Sequence, residues 1–253
     1  MIIKSPTTED QPRLRQLWKQ AFGDSDAFLD DFFHTAFHPS RCLCIWEEDS
    51  LASAIYWFDC ALGGQKIAYL YALATDTRHR GKGLARKLMM RLHDLLESRG
   101  YRAALLVPGS ESLSALYRTM GYDFCGGIRT FSCTATQDSL SLRPVTPEEY
   151  ALLRRQYLPE GSVIQEGAAL DFLATQAQLY AGDGFLLAAQ AEQEELMGLE
   201  LLGNRTAAAA IVRALGCKSG WFRIPGTQKQ FAMFRPLGIG TNAPPAYFAF
   251  AFD

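Results

Sequence analysis

Arg78-His79-Arg80-Gly81-Lys82-Gly83 separates two runs of different periodicity. Residues 67–75 before it are apolar and β-like, and residues 84–97 after it repeat leucine at helical spacing. A strand, a glycine turn and a helix in that order build an anion site. The first helical turn leaves backbone N–H groups unpaired, and the helix dipole adds partial positive charge there. Gly81 and Gly83 remove side chains that would hold a phosphate off the backbone, while Arg78, Arg80 and Lys82 bring formal charge. The spacing excludes two nucleotide motifs. Nothing matches G-x-x-x-x-G-K-[ST], and in G-x-G-x-x-G the third glycine position is Arg86. What remains is R-x-x-G-x-G, which alone is equally consistent with a solvated basic turn heading a surface helix.

The rest of the chain narrows the class. Its 253 residues suit one large domain or two small ones, and 48% hydrophobic residues suffice for a core. A net charge of −2 gives no basic footprint for nucleic acid. No apolar run reaches about 18 residues, so no membrane partner is expected, and the N-terminus lacks a signal-peptide core. Six scattered cysteines form no C-x-x-C pair; they read as reduced, buried thiols of a cytoplasmic protein, with no metal site.

Residues 9–22 read as a helix with Leu14, Leu17, Trp18 and Phe22 on one face, and Ser25 is placed to cap a second over 26–37. Residues 42–46, 51–58 and 67–75 read as an antiparallel meander, turned at Glu47-Glu48-Asp49-Ser50 and Gly63-Gly64. After the leucine-rich helix, 103–107 is a short strand, Ser110 can cap a helix reaching Met120, and 131–136 resumes a strand.

Beyond a polar stretch at 135–141 the beginning of the chain recurs. Residues 1–18 and 140–157 align without gaps, with Thr7/Thr146, Glu9/Glu148, Leu14/Leu153 and Arg15/Arg154 identical. Further on, Val107-Pro108-Gly109-Ser110 is echoed by Ile224-Pro225-Gly226-Thr227, and Ala115-Leu116-Tyr117-Arg118 by Ala232-Met233-Phe234-Arg235. The shared order favours an internal duplication over chance matches, with an unrelated small α+β domain as the rival reading. The second copy has Asn204-Arg205-Thr206 where the glycine turn falls and Phe234 where Tyr117 recurs; Pro236 leaves a strand there as reasonable as a helix.

Leu73-Ala74-Thr75, the glycine turn with Leu84-Ala85, and Leu116-Tyr117 followed by Gly121-Tyr122 together resemble the GNAT superfamily of N-acetyltransferases over roughly residues 2–136. The resemblance implies an α+β fold, a mostly antiparallel twisted sheet flanked by helices, here duplicated: an acetyltransferase domain over 1–136 and a smaller, degenerate GNAT-like domain over 137–253. It implies acetyl-CoA as cofactor, with pyrophosphate on the amides of Arg80, Gly81, Lys82, Gly83, Leu84 and Ala85 beside Arg78. The pantetheine arm is expected along the strand carrying Leu73 and Thr75, whose amide near Leu73 and Ala74 stabilises the oxyanion. Tyr117 matches the family's general acid. Ser110 stands where many members have asparagine, and serine caps a helix equally well.

The resemblance also implies that the acceptor is a primary amine of a small molecule or peptide, attacking the thioester directly. No base is assigned: Asp59 and Asp76 end or follow strands, and Asp253 adds a terminal carboxylate. The acceptor pocket is expected near Phe22, Phe28, Phe32 and Phe33, with Asp24, Asp26, Asp30 and Asp31 as a solvated acidic face or an attraction for a cation. Two other readings stand beside an enzyme that is a monomer or homodimer: a non-catalytic acyl-CoA-binding module, and a tandem aminoacyl transferase using charged transfer RNA, which the absence of basic charge disfavours.

Overall fold

Alternating side chains along the first meander set the layering. A computed structural model describes residues 1–238 and 243–251. The chain forms two units, Met1–Asp123 with Met233–Ala243, and Phe124–Ala232 with Pro244–Asp253.

In the first unit β1 (Ile2–Lys4) is followed by α1 (Gln11–Phe22), α2 (Asp26–Thr35), β2 (Cys42–Glu47), β3 (Ser50–Leu62), β4 (Gln65–Thr75), α3 (Leu84–Ser98), β5 (Ala103–Leu106) and α4 (Glu111–Arg118). The first α-helix starts later than expected. Residues 8–10 wind as a 3-10 turn, with the Asp10 carboxylate accepting from the Thr7 amide and hydroxyl. Pro12 then lies in the first turn of α1, where a missing N–H costs little. The Ser25 hydroxyl accepts from the Phe28 amide at 3.2 Å and caps α2, which ends at Thr35 rather than 37. Trp18, Phe32, Phe33, Tyr56 and Tyr71 close an aromatic core, with Trp18–Phe32 ring centroids 4.6 Å apart. α3 buries Leu84, Leu88, Met89, Leu92 and Leu96 at helical spacing.

The chain continues as β6 (Asp123–Thr134), which begins well before the expected 131. Then come β7 (Leu142–Pro144), α5 (Pro147–Tyr157), β8 (Ile164–Gln165), α6 (Ala168–Gln176), β9 (Gln178–Gly182), β10 (Phe185–Glu192), β11 (Glu195–Gly203), α7 (Ala208–Ala214), β12 (Ser219–Pro225) and β13 (Lys229–Pro236). Residues 232–235 are therefore strand, not the helix their likeness to 115–118 allowed, and Pro236 ends it.

The sheet of the first unit runs β1-β2-β3-β4-β5-β13, antiparallel except β4 with β5; that of the second runs β6-β12-β11-β10-β9-β7, antiparallel except β11 with β12. Each unit borrows its last strand. β5 pairs Met233–Pro236 of β13, while β12 pairs Ile128–Thr134 of β6. In the second unit Leu186 and Ala188 pack with α5 and α6, and Phe185, Leu187 and Ala189 pack with α7, as a period of two requires. Glu200, fully buried on β11, accepts from Arg154 at 2.8 and 3.0 Å and from the hydroxyls of Tyr150 and Tyr247 at 3.1 and 3.0 Å. These four donors satisfy a charge that would otherwise be costly to bury.

All six cysteines are free; Cys42 and Cys44 share a strand face with sulfurs 3.7 Å apart. No described helix is long and apolar enough to cross a membrane.

Arg154→Met strips Glu200 of its countercharge without removing volume. It is expected to cost about 3–5 kcal/mol in urea unfolding, whereas Arg155→Met, whose partner Glu166 is on the surface, costs under about 1 kcal/mol.

Candidate active site

β4 and β5 are paired only from Ile67–Ala103 to Tyr69–Leu105. β5 ends at Leu106 while β4 runs on to Thr75, so among the described residues the second half of β4 has no strand on that side. A bulge lies within this free stretch. Ala54 pairs Ala74 and Tyr56 pairs Tyr71, so Ile55 faces both Ala72 and Leu73, and Ala72 is forced to φ 51. Bulges twist a strand and take one residue out of the ladder. On the other edge the Ser53 hydroxyl donates to the Ala74 carbonyl at 2.6 Å and contacts the Thr75 hydroxyl at 3.0 Å, anchoring the strand end. The edge toward β5 thus offers backbone groups to an extended ligand, beside half-buried Leu73 and Thr75.

Beyond Thr75 the chain makes a 3-10 turn at Thr77–His79, capped by the Asp76 carboxylate accepting from the Arg78 amide at 2.8 Å. The same carboxylate takes the Arg78 guanidinium at 2.9 and 3.1 Å. Arg80 donates to the Thr75 carbonyl at 3.1 Å. Two ties that the sequence did not signal fix this loop: His79 contacts Glu47 at 2.9 Å, and the Gln20 amide donates to Thr77 at 2.9 Å. Lys82 is 3.8 Å from Glu47. Gly81 and Gly83 have φ of 77 and 72, and a Cβ on either would meet nothing within 4 Å. Gly83 is the N-cap of α3 and supplies no side-chain cap. Exposed Lys82 and Gly83, buried Leu84 and half-buried Ala85 therefore surround an open, amide-rich helix start.

Tyr117 lies in α4, whose N-cap is Ser110; the Ser110 hydroxyl accepts from the Leu113 amide at 3.2 Å and contacts Ser112 at 2.9 Å. Tyr117 is 7% exposed, and burial pushes its hydroxyl up to about 12, which keeps it protonated at neutral pH. Its ring packs edge-on against Tyr122 at 5.9 Å, and the Tyr122 hydroxyl is 2.7 Å from His93 Nε2. Burial, then the nearby Arg235 charge, lowers His93 from 6.5 to about 4.

The carboxylates are committed elsewhere. Asp59 accepts from the Tyr101 hydroxyl and lies within 3.7 Å of Arg41 and 3.6 Å of Lys66. The Arg78 hydrogen bond holds Asp76 below its ordinary value, so it is a weak base. Asp24 accepts from the Trp18 indole at 2.7 Å, Asp26 pairs with Lys19 at 2.5 Å and Asp30 with Arg15. Asp253 lies outside the described residues. A cleft of about 430 Å³ adjoins the loop, walled by Arg13, Gln16, Gln20, Asp49, Ser50 and Arg78 among others.

Residues 2–125 match the acetyltransferase (GNAT) domain family. Over 122 residues the chain is 26% identical to an L-2,4-diaminobutyric acid acetyltransferase of Marinococcus halophilus, covering 47% of this chain and 70% of that protein. Among solved structures it resembles GCN5-related N-acetyltransferases from Kribbella flavida (TM-score 0.72, 16% identity, 93% of this chain and 71% of that one) and Anabaena variabilis (TM-score 0.73, 16% identity, 94% and 73%). At such identity these two share the fold.

His93 generates a pH prediction. Its folded value is depressed, so between about pH 6.5 and 4 the unfolded chain binds the extra proton and stability falls with pH, by about 3 kcal/mol in all. His93→Gln is expected to flatten that slope in urea melts at about pH 4.5 and about pH 7.

Proposed function

We propose that the chain, whose residues 2–125 match the GNAT domain family, is an acetyl-CoA-dependent N-acetyltransferase, and we propose the roles of its residues and the class of its acceptor. The observation that carries the reading is the parting of β4 from β5 in line with an uncapped α3 start. Acetyl-CoA supplies an activated acetyl thioester. Its pyrophosphate fits the amides of Arg80, Gly81, Lys82, Gly83, Leu84 and Ala85, where the two left-handed glycines leave open space. Arg78 contributes through the loop it braces with Asp76 rather than as a free charge. Leu73 and Thr75 present their strand edge to the pantetheine arm, and Ser110 starts the helix that flanks it.

The acceptor amine attacks the thioester carbonyl carbon, forming the C–N bond while the carbonyl oxygen gathers charge. We assign the stabilisation of that oxygen to the backbone at the Leu73–Ala74 bulge. As the C–S bond breaks, Tyr117 gives its hydroxyl proton to the departing sulfur; the proton lost by the amine passes to solvent and restores the phenol. A hydroxyl held near 12 by burial is protonated at neutral pH and so carries the proton to be donated.

The acceptor class is a small amine that also carries a carboxylate. Two observations support this: the cleft brings Arg13 and Asp49 to the same wall, and a relative acts on a diamino acid. The protein is cytoplasmic, a monomer or homodimer, with 1–136 as the acetyltransferase domain and 137–253 as a degenerate copy. In support, β7-α5-α6-β9-β10-β11-α7-β12, interrupted only by the two-residue β8 between α5 and α6, repeats the order β1-α1-α2-β2-β3-β4-α3-β5, down to an Asn204-capped 3-10 turn where Asp76 caps the first.

Calorimetric titration with acetyl-CoA is expected to give one site per chain; two sites would end the view of the second copy as degenerate. Gly83→Ala is expected to weaken binding about tenfold while costing only about 1–2 kcal/mol of stability. Tyr117→Phe is expected to lower kcat by about 10²–10⁴ with acetyl-CoA binding intact. Absence of turnover by the wild type across amino acids, diamines and peptide N-termini, with binding retained, would identify an acyl-CoA-binding module instead. Arg13→Ala is expected to raise KM for L-2,4-diaminobutyrate and leave acetyl-CoA affinity alone.

A further inference from the structure

The helix carrying Tyr117 ends in an unusual cluster. Gly121, at φ 85, follows the last turn, and the Gly121 amide returns to the Arg118 carbonyl at 3.0 Å. The Tyr122 and Met120 amides both return to the Tyr117 carbonyl, at 3.2 and 2.9 Å. This leaves the Met120 carbonyl at the negative end of the helix dipole, and the Arg235 guanidinium donates to it. Arg235 reaches that carbonyl across Gly121: a Cβ there would lie 2.7 Å from the Arg235 Nη1. Glycine is required at this position twice, for its backbone angle and for the passage of a cation.

Arg235 arrives on β13, pairing with Ala104 of β5. It therefore comes from the far end of the second copy, yet belongs to the unit that holds Tyr117. Tyr122, immediately after Gly121, is 1% exposed; its ring is the wall on which Tyr117 rests, and His93 of α3 holds its hydroxyl at 2.7 Å. α3 is also the helix whose start meets the phosphate loop. Two supports thus converge on the end of α4, one from α3 and one from β13.

We propose that Arg235, together with the His93–Tyr122 pair, positions Tyr117 for proton delivery to the departing thiol, so that a strand at the far end of the degenerate copy supports the catalytic residue. None of the three is placed against substrate; they act through Tyr117, and the proposal rests on Tyr117 being the general acid. A buried acid must be aimed within a fraction of an ångström, and α4 is only about two turns long, too short to fix its own end. Arg235 supplies the missing constraint: a charged donor to a helix-end carbonyl is stronger than a neutral one and directional.

The test is a mutant cycle in the full chain, reading free-thiol release from acetyl-CoA with L-2,4-diaminobutyrate and with water as acceptor, plus acetyl-CoA affinity by calorimetry. Arg235→Met is expected to lower kcat about 10–100-fold with KM for acetyl-CoA within about twofold. Arg235→Lys, which keeps the charge, recovers part of the loss. Tyr122→Phe, which keeps the ring and deletes only the hydroxyl, moves in the same direction, and it serves if Arg235→Met fails to fold. The decisive variant is Tyr117→Phe/Arg235→Met: acting through Tyr117 predicts no further loss beyond Tyr117→Phe alone. A full additional loss in the double variant, or unchanged kcat in folded Arg235→Met and Tyr122→Phe, overturns the positioning role while Tyr117 stays the acid. If Tyr117→Phe itself matches the wild type at every pH, the acid assignment falls first and the positioning role falls with it.

Discussion

A strand that loses its neighbour halfway along must find other partners for its backbone, and β4 does so only on one side. Hydrogen bonds from β3 and the Ser53 hydroxyl secure one edge as far as Thr75, while the other faces the gap left by β5. Much of the first unit follows from keeping that gap open. The bulge at Ala72 turns the strand, Pro108-Gly109 keep β5 from continuing, and α4 begins at a Ser110 cap instead of a further ladder. The loop from Asp76 to Gly83 is then held by side-chain ties to Glu47 and Gln20, so the start of α3 is presented without being plugged by its own cap.

Much of this was legible in the residues because local chemistry decided it. Gly63-Gly64 must turn, the leucine spacing from Leu84 must be helical, and Ser110 must cap. The strand-to-helix turn that announced an anion site is where the amides lie. What could not be read was governed by partners distant in sequence. Residues 232–235 carry the same pattern as the Tyr117 helix, yet become strand because β5 offers them an edge and Pro236 forbids a helix. On the acidic face, Asp24 accepts from Trp18, Asp26 and Asp30 pair with Lys19 and Arg15, and Arg78 pairs with Asp76; no periodicity encodes such contacts.

The second unit keeps a similar strand arrangement without the glycine turn. β11 and β12 still run parallel and α7 still follows, but Asn204-Arg205-Thr206 provides no glycine turn. On β11 the chemistry turns inward: Glu200 is sealed among Arg154, Tyr150 and Tyr247, a carboxylate used for cohesion and withheld from solvent. A strand free to bury a charge in this way is under different demands from β4, whose far half keeps one edge open.

The borrowed strands bear on how the protein is made. β5 ends at Leu106, but its antiparallel partner is not reached until Met233. On the ribosome the first unit waits, its sheet edge unpaired, while residues 107–232 are translated. During that interval β5 presents an open ladder to any neighbouring nascent chain, including another copy carrying its own β13. The spacing that completes the enzyme is therefore also a window for exchange between chains, and the length of that window is set by translation rather than by thermodynamics.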